Sequence, residues 1–250
     1  MSKSSRQDTI ENSKNYLKNA KKVQSSEYFE IFFGCSGVRC GRDVRASTEM
    51  LKIGLTGSIA VGKSYVCEVF RELGALVLDA DQTAREVVKP GTEGLRKIVE
   101  HFGAVVLQPN GELDRAKLGA IVFADERKRQ LINNLVHPLV IQAQNEWLNK
   151  SEKISPRGIA IIDAALMIES ESYKRFKKLI VVWCEPAIQL RRLMQRNDLS
   201  EADALQRINA QMPQAEKKRY ADYLIDTSAG FEAARRQTVE VFEQLKVLVI

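Results

Sequence analysis

Residues 57–64 read Gly57-Ser58-Ile59-Ala60-Val61-Gly62-Lys63-Ser64, a glycine loop ending in lysine and a hydroxyl. This fits the spacing G-x-x-x-x-G-K-S/T, which holds polyphosphate. Loop and helix-start N–H groups that lack partners converge on one concavity, and an anion supplies the missing acceptors. Gly57 and Gly62 allow the backbone to approach closely, and Lys63 can reach the outer phosphates. Ser64 can offer its hydroxyl to Mg2+. The chemistry indicated is nucleoside-triphosphate binding.

The motif counts as evidence only between a strand and a helix. Residues 51–56 form a short apolar-alternating run that reads as the strand. Residues 65–73 carry Val66, Val69, Phe70 and Leu73 at helical spacing. Further strands are expected at 75–79, 158–163, 178–183 and 223–226. A broken helical region spans about 82–150, helix-rich sequence runs from 187 to about 222, and a closing helix covers 231–248. Short apolar runs separated by helices favour a parallel sheet covered on both faces. The expected fold is α/β: a P-loop core on a five-stranded parallel sheet with flanking helices.

Asp79 and Asp81 emerge at the carboxyl end of the second strand, the edge where open α/β sheets bind ligands. A carboxylate beside the cradle can take a proton from an attacking hydroxyl. Either acid can instead cap the helix that starts near Gln82. Asp163 ends the third strand and is open to two readings, an acid that orders magnesium waters or a cap. The guanine-specifying pattern N-K-x-D is absent, which disfavours a GTPase.

The chain has 250 residues, 44% of them apolar, enough for one large domain with an appendage. No apolar run approaches the roughly 18 residues of a membrane span. The first twenty residues lack the apolar stretch of a secretory signal. Cys35, Cys40, Cys67 and Cys184 show no paired framework. With only His101 and His137 to complete a cluster, the expectation is reduced thiols, no zinc site and a cytoplasmic location. The net charge is +6 and the pI about 9.1. Residues 1–49 hold nine Lys/Arg against six Asp/Glu, half of that excess. No basic stripe is interleaved with aromatics, so nucleic acid is not the expected partner.

Residues 1–49 are polar apart from an apolar run at 28–33, and Met50 stands directly before the first strand. The expectation is a poorly ordered extension, or a reading frame whose start is Met50, with a docking segment as the alternative. Residues 50–250 form the expected catalytic domain.

Several motifs in order give the chain a resemblance to the dephospho-coenzyme A kinases. They are the cradle at 57–64, Asp79-Ala80-Asp81 with Ala84-Arg85, Val88-Lys89-Pro90-Gly91, His101-Phe102-Gly103 and His137-Pro138-Leu139. Asp163-Ala164-Ala165-Leu166 with Glu169, Gln189 through Arg192 to Arg196, and Ala210-Gln211 follow. The resemblance implies ATP-dependent phosphorylation of the ribose 3′-hydroxyl of dephospho-coenzyme A, with Mg2+, giving coenzyme A and ADP. It also implies that the helical insert at about 82–150 binds the acceptor substrate and that the helices at about 190–222 form a lid. It implies that Asp81 is the general base, Lys63 the cradle lysine and Arg192 a lid arginine on the ATP phosphates. ATP contacts are implied along 57–64 and at the flanking Thr56 and Tyr65, with Ser64 near the metal. Asp81, Arg85 and His137 fall on the acceptor side.

Arg192 and Arg196 are four apart on one helix and so share a face. Pro138 fits the first turn of a helix running through Trp147, leaving His137 to bond the acceptor or a buried carbonyl. Departures from the family pattern are Ser58, Ala60 and Val61 in the cradle, Tyr65 for a threonine, Ala165 for a proline and Thr227 near an expected asparagine. The remaining readings are another P-loop small-molecule kinase and an ATP-dependent nucleic-acid-binding protein. The sequence leaves the oligomeric state open.

Overall fold

The computed structural model describes residues 49–249. The expectations for residues 1–48, including those for Cys35 and Cys40, lie outside the described residues.

The strands are β1 (Leu51–Thr56), β2 (Leu76–Asp79), β3 (Ile159–Asp163), β4 (Lys178–Trp183) and β5 (Tyr223–Asp226). They pair in the order β2-β3-β1-β4-β5, and every pairing is parallel. Parallel neighbours need crossovers, and helices supply them on both faces. Along β3, Ile159 and Ile161 pack with Ile180, Val182, Phe70 and Phe242 on one face. Ala160 and Ile162 pack with Leu179, Val181, Met167 and Leu148 on the other. This period-2 alternation between two apolar layers explains why the strands read as unbroken apolar runs.

Helix α1 (Lys63–Glu72) follows the glycine loop and buries Val66, Cys67, Val69 and Phe70. Between β2 and β3 lie α2 (Ala80–Glu86), α3 (Glu93–Phe102), α4 (Arg115–Phe123) and α5 (Glu126–Ile154). Val88, Leu95, Ile98, Val106, Leu113 and Leu118 form a core of this insert's own. Between β4 and β5 come α6 (Pro186–Asn197), α7 (Glu201–Asn209) and α8 (Gln214–Lys217), and α9 (Phe231–Val247) closes the chain.

One expectation is corrected here. Pro138 does not start a helix; it lies inside the 29-residue α5, which begins far upstream at an Asp125 cap. Proline in a helix interior forfeits one backbone hydrogen bond. Pro138 and the residue four before it, Asn134, are both exposed, so water can take the freed carbonyl. A cap signal at Asp125 and an exposed proline together override the proline's usual start position.

Chain order and spatial order diverge at β1, which has β3 on one side and β4 on the other. That divergence opens a crevice at the strands' carboxyl ends. Leu55, Asp163 and Asp79 stand abreast there on three adjacent strands.

Candidate active site

The cradle's backbone could not be built from ordinary residues throughout. Gly62 has φ 93°, and Ala60 takes the left-handed region at φ 61°. A Cβ at Gly57 would collide with the Val182 carbonyl oxygen. Main-chain oxygen cannot swing aside as a flexible side chain can, so β4 itself enforces glycine at position 57. Gly57→Ala is therefore expected to lower the melting temperature and cut nucleotide affinity together. Thermal melts with and without ADP check this; an alanine variant with wild-type values in both would show that the loop can shift.

A cavity of about 830 Å3 opens over the cradle, lined by residues 58–65 together with Asp79, Asp81, Arg85, Asp163, Arg192 and Arg196. The two acids after β2 divide their tasks. Asp79 is the N-cap of α2 and accepts the Gln82 N–H at 2.9 Å. Capping is thus done one residue before the helix, and Asp81 in its first turn does not perform it. Asp81 faces the cavity without a hydrogen bond among the described residues. Although Asp81 is exposed by surface area, nearby protein partly desolvates its carboxyl and raises its pKa above the ordinary aspartate value. The Lys63 ammonium pulls it back down, while Asp79 and Asp163 push it up.

Lys63 Nζ lies 2.6 Å from Asp163 Oδ1, and both side chains are largely buried. The lysine is therefore anchored at the root of the cavity by β3. Beneath the pair sits the buried Cys67, whose thiol is pushed far up, first by burial and then by the Asp163 charge. Such a thiol is inert as a nucleophile.

Helix α6 contributes Arg192 and Arg196 from one face, as their spacing requires. Arg192 is not free. Its guanidinium donates to Thr227 Oγ1 and to the Thr227 carbonyl, both at 2.8 Å. Arg196 is exposed and donates to Asn197 at 2.9 Å.

Thr56 is fully buried, and its hydroxyl donates to the Ala165 carbonyl at 3.2 Å, so it braces the exit of β3. Gly57, the first residue of the cradle, is buried and is not part of the cavity wall. The Ile59 N–H is engaged by Gln211 Oε1 at 2.8 Å. His137 is exposed on α5 and is not part of the cavity wall. Tyr65 does line the cavity, and its ring packs 4.7 Å from that of Phe231 at the start of α9.

Sequence reasoning misses two contributors. Phe231 reads as the first apolar residue of a helix, yet it is 70% exposed on the cavity wall. Lys217, in a polar stretch that suggests a solvated surface, is fully buried instead. Its ammonium reaches the Ala165 carbonyl and Glu169, each at 2.8 Å. Nothing in the local sequence around α8 marks this lysine out from its exposed neighbours.

Among the described residues no group of three or more His, Cys, Asp or Glu is placed to hold a metal ion. A hydroxyl at Ser64 with scattered carboxylates nearby suits a cation that keeps most of its water and takes phosphate oxygens, as Mg2+ does. Among the described residues no helix is long and apolar enough to cross a membrane.

A cradle between β1 and α1, a lysine held by a strand-end acid and a parallel five-stranded sheet define a P-loop nucleotide-binding protein. The comparisons narrow this. A family model described as dephospho-CoA kinase matches residues 51–232. A dephospho-CoA kinase of Geobacillus kaustophilus is 46% identical over 200 residues, covering 79% of this chain and 98% of that protein. A dephospho-CoA kinase domain-containing protein of Danio rerio is 44% identical, covering 78% of this chain and 86% of its own. The solved dephospho-CoA kinase from Campylobacter jejuni superposes with a TM-score of 0.60 at 28% identity, covering 78% of this chain and 96% of its own. A Thermus thermophilus crystal structure gives 0.69 at the same identity, covering 79% and 98%. The chain belongs to the dephospho-CoA kinase family.

Proposed function

We propose that this chain transfers the terminal phosphoryl group of ATP to the ribose 3′-hydroxyl of dephospho-coenzyme A, releasing coenzyme A and ADP. The observation that carries this reading is the shared cavity of Asp81, Lys63 and the cradle, with Asp81 uncommitted to any cap. Phosphoryl transfer asks a protein mainly to align groups and to balance developing charge. Asp81 accepts the hydroxyl proton as the ribose oxygen bonds to phosphorus. The bond from phosphorus to the ADP oxygen breaks, and ADP leaves with that electron pair. Lys63 balances charge on the transferring group, and Arg192 and Arg196 add positive charge from α6. Arg85, one turn beyond Asp81 on α2, faces the acceptor's phosphates.

Mg2+, when bound, would neutralise phosphate charge, with Ser64 and the Asp163 side of the cavity as the groups that hold it. The partners are small molecules rather than nucleic acid, and the use of ATP favours a cytoplasmic location. A coupled ADP-release assay tests the proposal. Turnover with dephospho-coenzyme A well above that with nucleoside monophosphates is expected; equal or inverted preference would overturn it.

A further inference from the structure

Two carbonyls of the cradle accept hydrogen bonds from side chains of the segments that follow β4 and β5. Gln189 on α6, only 2% exposed, donates from Nε2 to the Ile59 carbonyl at 2.8 Å. Its orientation is dictated by a second glutamine. Gln214 Oε1 accepts the Cys184 N–H at 3.0 Å, so the Gln214 amide nitrogen must face the other way, and it donates to Gln189 Oε1 at 2.6 Å. With Oε1 so engaged, Gln189 can present only its nitrogen to Ile59. Two residues along, Thr227 Oγ1 donates to the Val61 carbonyl at 2.6 Å. Arg192 donates to that same hydroxyl, which leaves the Thr227 proton for Val61.

A trans peptide carries its C=O and its N–H on opposite edges, and the described residues contain no cis bond. Holding the Ile59 carbonyl toward Gln189 therefore turns the Ala60 N–H the other way. Holding the Val61 carbonyl toward Thr227 does the same for the Gly62 N–H. Ala60 and Gly62 both line the cavity. We propose that Gln189 and Thr227 are positioning residues that aim the Ala60 and Gly62 N–H groups at the donor's phosphate chain before it arrives. Gln214 and Arg192 set the orientation of these two. The inference rests on the reading of the cradle as the ATP site. Donors fixed in advance lose no ordering entropy on binding, and the left-handed Ala60 needs such outside support.

The test measures ADP binding to the full chain by calorimetry and the Michaelis constant for dephospho-coenzyme A. Thr227→Val keeps the side-chain shape but removes the hydroxyl. It is expected to weaken ADP binding by about tenfold, the scale of one lost hydrogen bond. Thr227→Ser, which keeps the hydroxyl, should stay within about threefold of the parent on the same scale. Gln189→Leu should resemble Thr227→Val, and the acceptor constant should move less than about twofold in all three. Should Gln189→Leu fail to fold, the Thr227 pair decides alone. Parent-like ADP binding by Thr227→Val, or equal weakening by Thr227→Ser, overturns the inference. A parent chain that binds ADP yet never phosphorylates dephospho-coenzyme A overturns the proposed acceptor instead, and the ADP comparison still stands.

Discussion

Replacing Asp81 by asparagine is expected to lower turnover by about 10²- to 10⁴-fold, the range supplied by a positioned general base. ATP affinity should hardly change, because the cradle is built from residues 57–64 and Asp81 enters from α2. Stability gives a second, opposite-signed check. A carboxylate whose folded pKa is raised is less comfortable ionised in the native state than in the unfolded chain. At neutral pH its ionisation works against folding, and that cost is relieved as pH falls through the raised value. The amide introduced by Asp81→Asn carries no charge, so the variant's melting temperature should equal or exceed the parent's. The acid limb of the parent's kcat/KM profile should lie above the ordinary aspartate range, since the base must be ionised to act. Parent-like turnover by the Asp81→Asn protein would remove this residue from the chemistry.

Lys63→Met should be nearly as severe, at about 10²- to 10³-fold in turnover, the scale of one preorganised charge-balancing donor. Here ATP affinity and stability should fall as well. Asp163 would lose the ammonium 2.6 Å away and be left as a largely buried, uncompensated charge. The same loss reaches Asp81. Lys63 draws that carboxyl's pKa down, whereas Asp79 and Asp163 drive it up. Without the lysine it should climb further, and the acid limb of any residual activity should shift to higher pH. A pH series on the variant reads this directly; an unmoved limb would mean that the two groups do not sense each other.

The three inner strands β1, β3 and β4 were legible because helices cover both their faces, and the half-covered edge strands β2 and β5 still read as short apolar runs ending in an acid. The expected 178–183 and 223–226 coincide with β4 and β5. The cradle was legible because its backbone demands glycine and lysine at set spacing. Choosing between Asp79 and Asp81 as cap was beyond the sequence, since capping depends on where the chain turns extended, and it does so at Asp79. Pro138 misled because helix preference is a local signal, whereas α5 is held by contacts along its length. Lys217 was invisible for the same kind of reason: its partners, Ala165 and Glu169, are about fifty residues away in the chain. Gln189 and Gln211 stood out only as members of a motif series, with nothing in their types to say that they hold a peptide bond.

The register of β3 carries a consequence for how such a chain can change its length. Asp163 stands level with Asp79 and Leu55, and β3 alternates its residues between two apolar layers. Deleting one residue within β3 would exchange those layers and turn the anchoring acid toward the wrong side of the sheet. The turn at Asn110-Gly111, inside the helical insert and not part of the cavity wall, has no such constraint. Insertions and deletions should therefore accumulate in that turn across related genomes, while the strands keep their residue counts fixed.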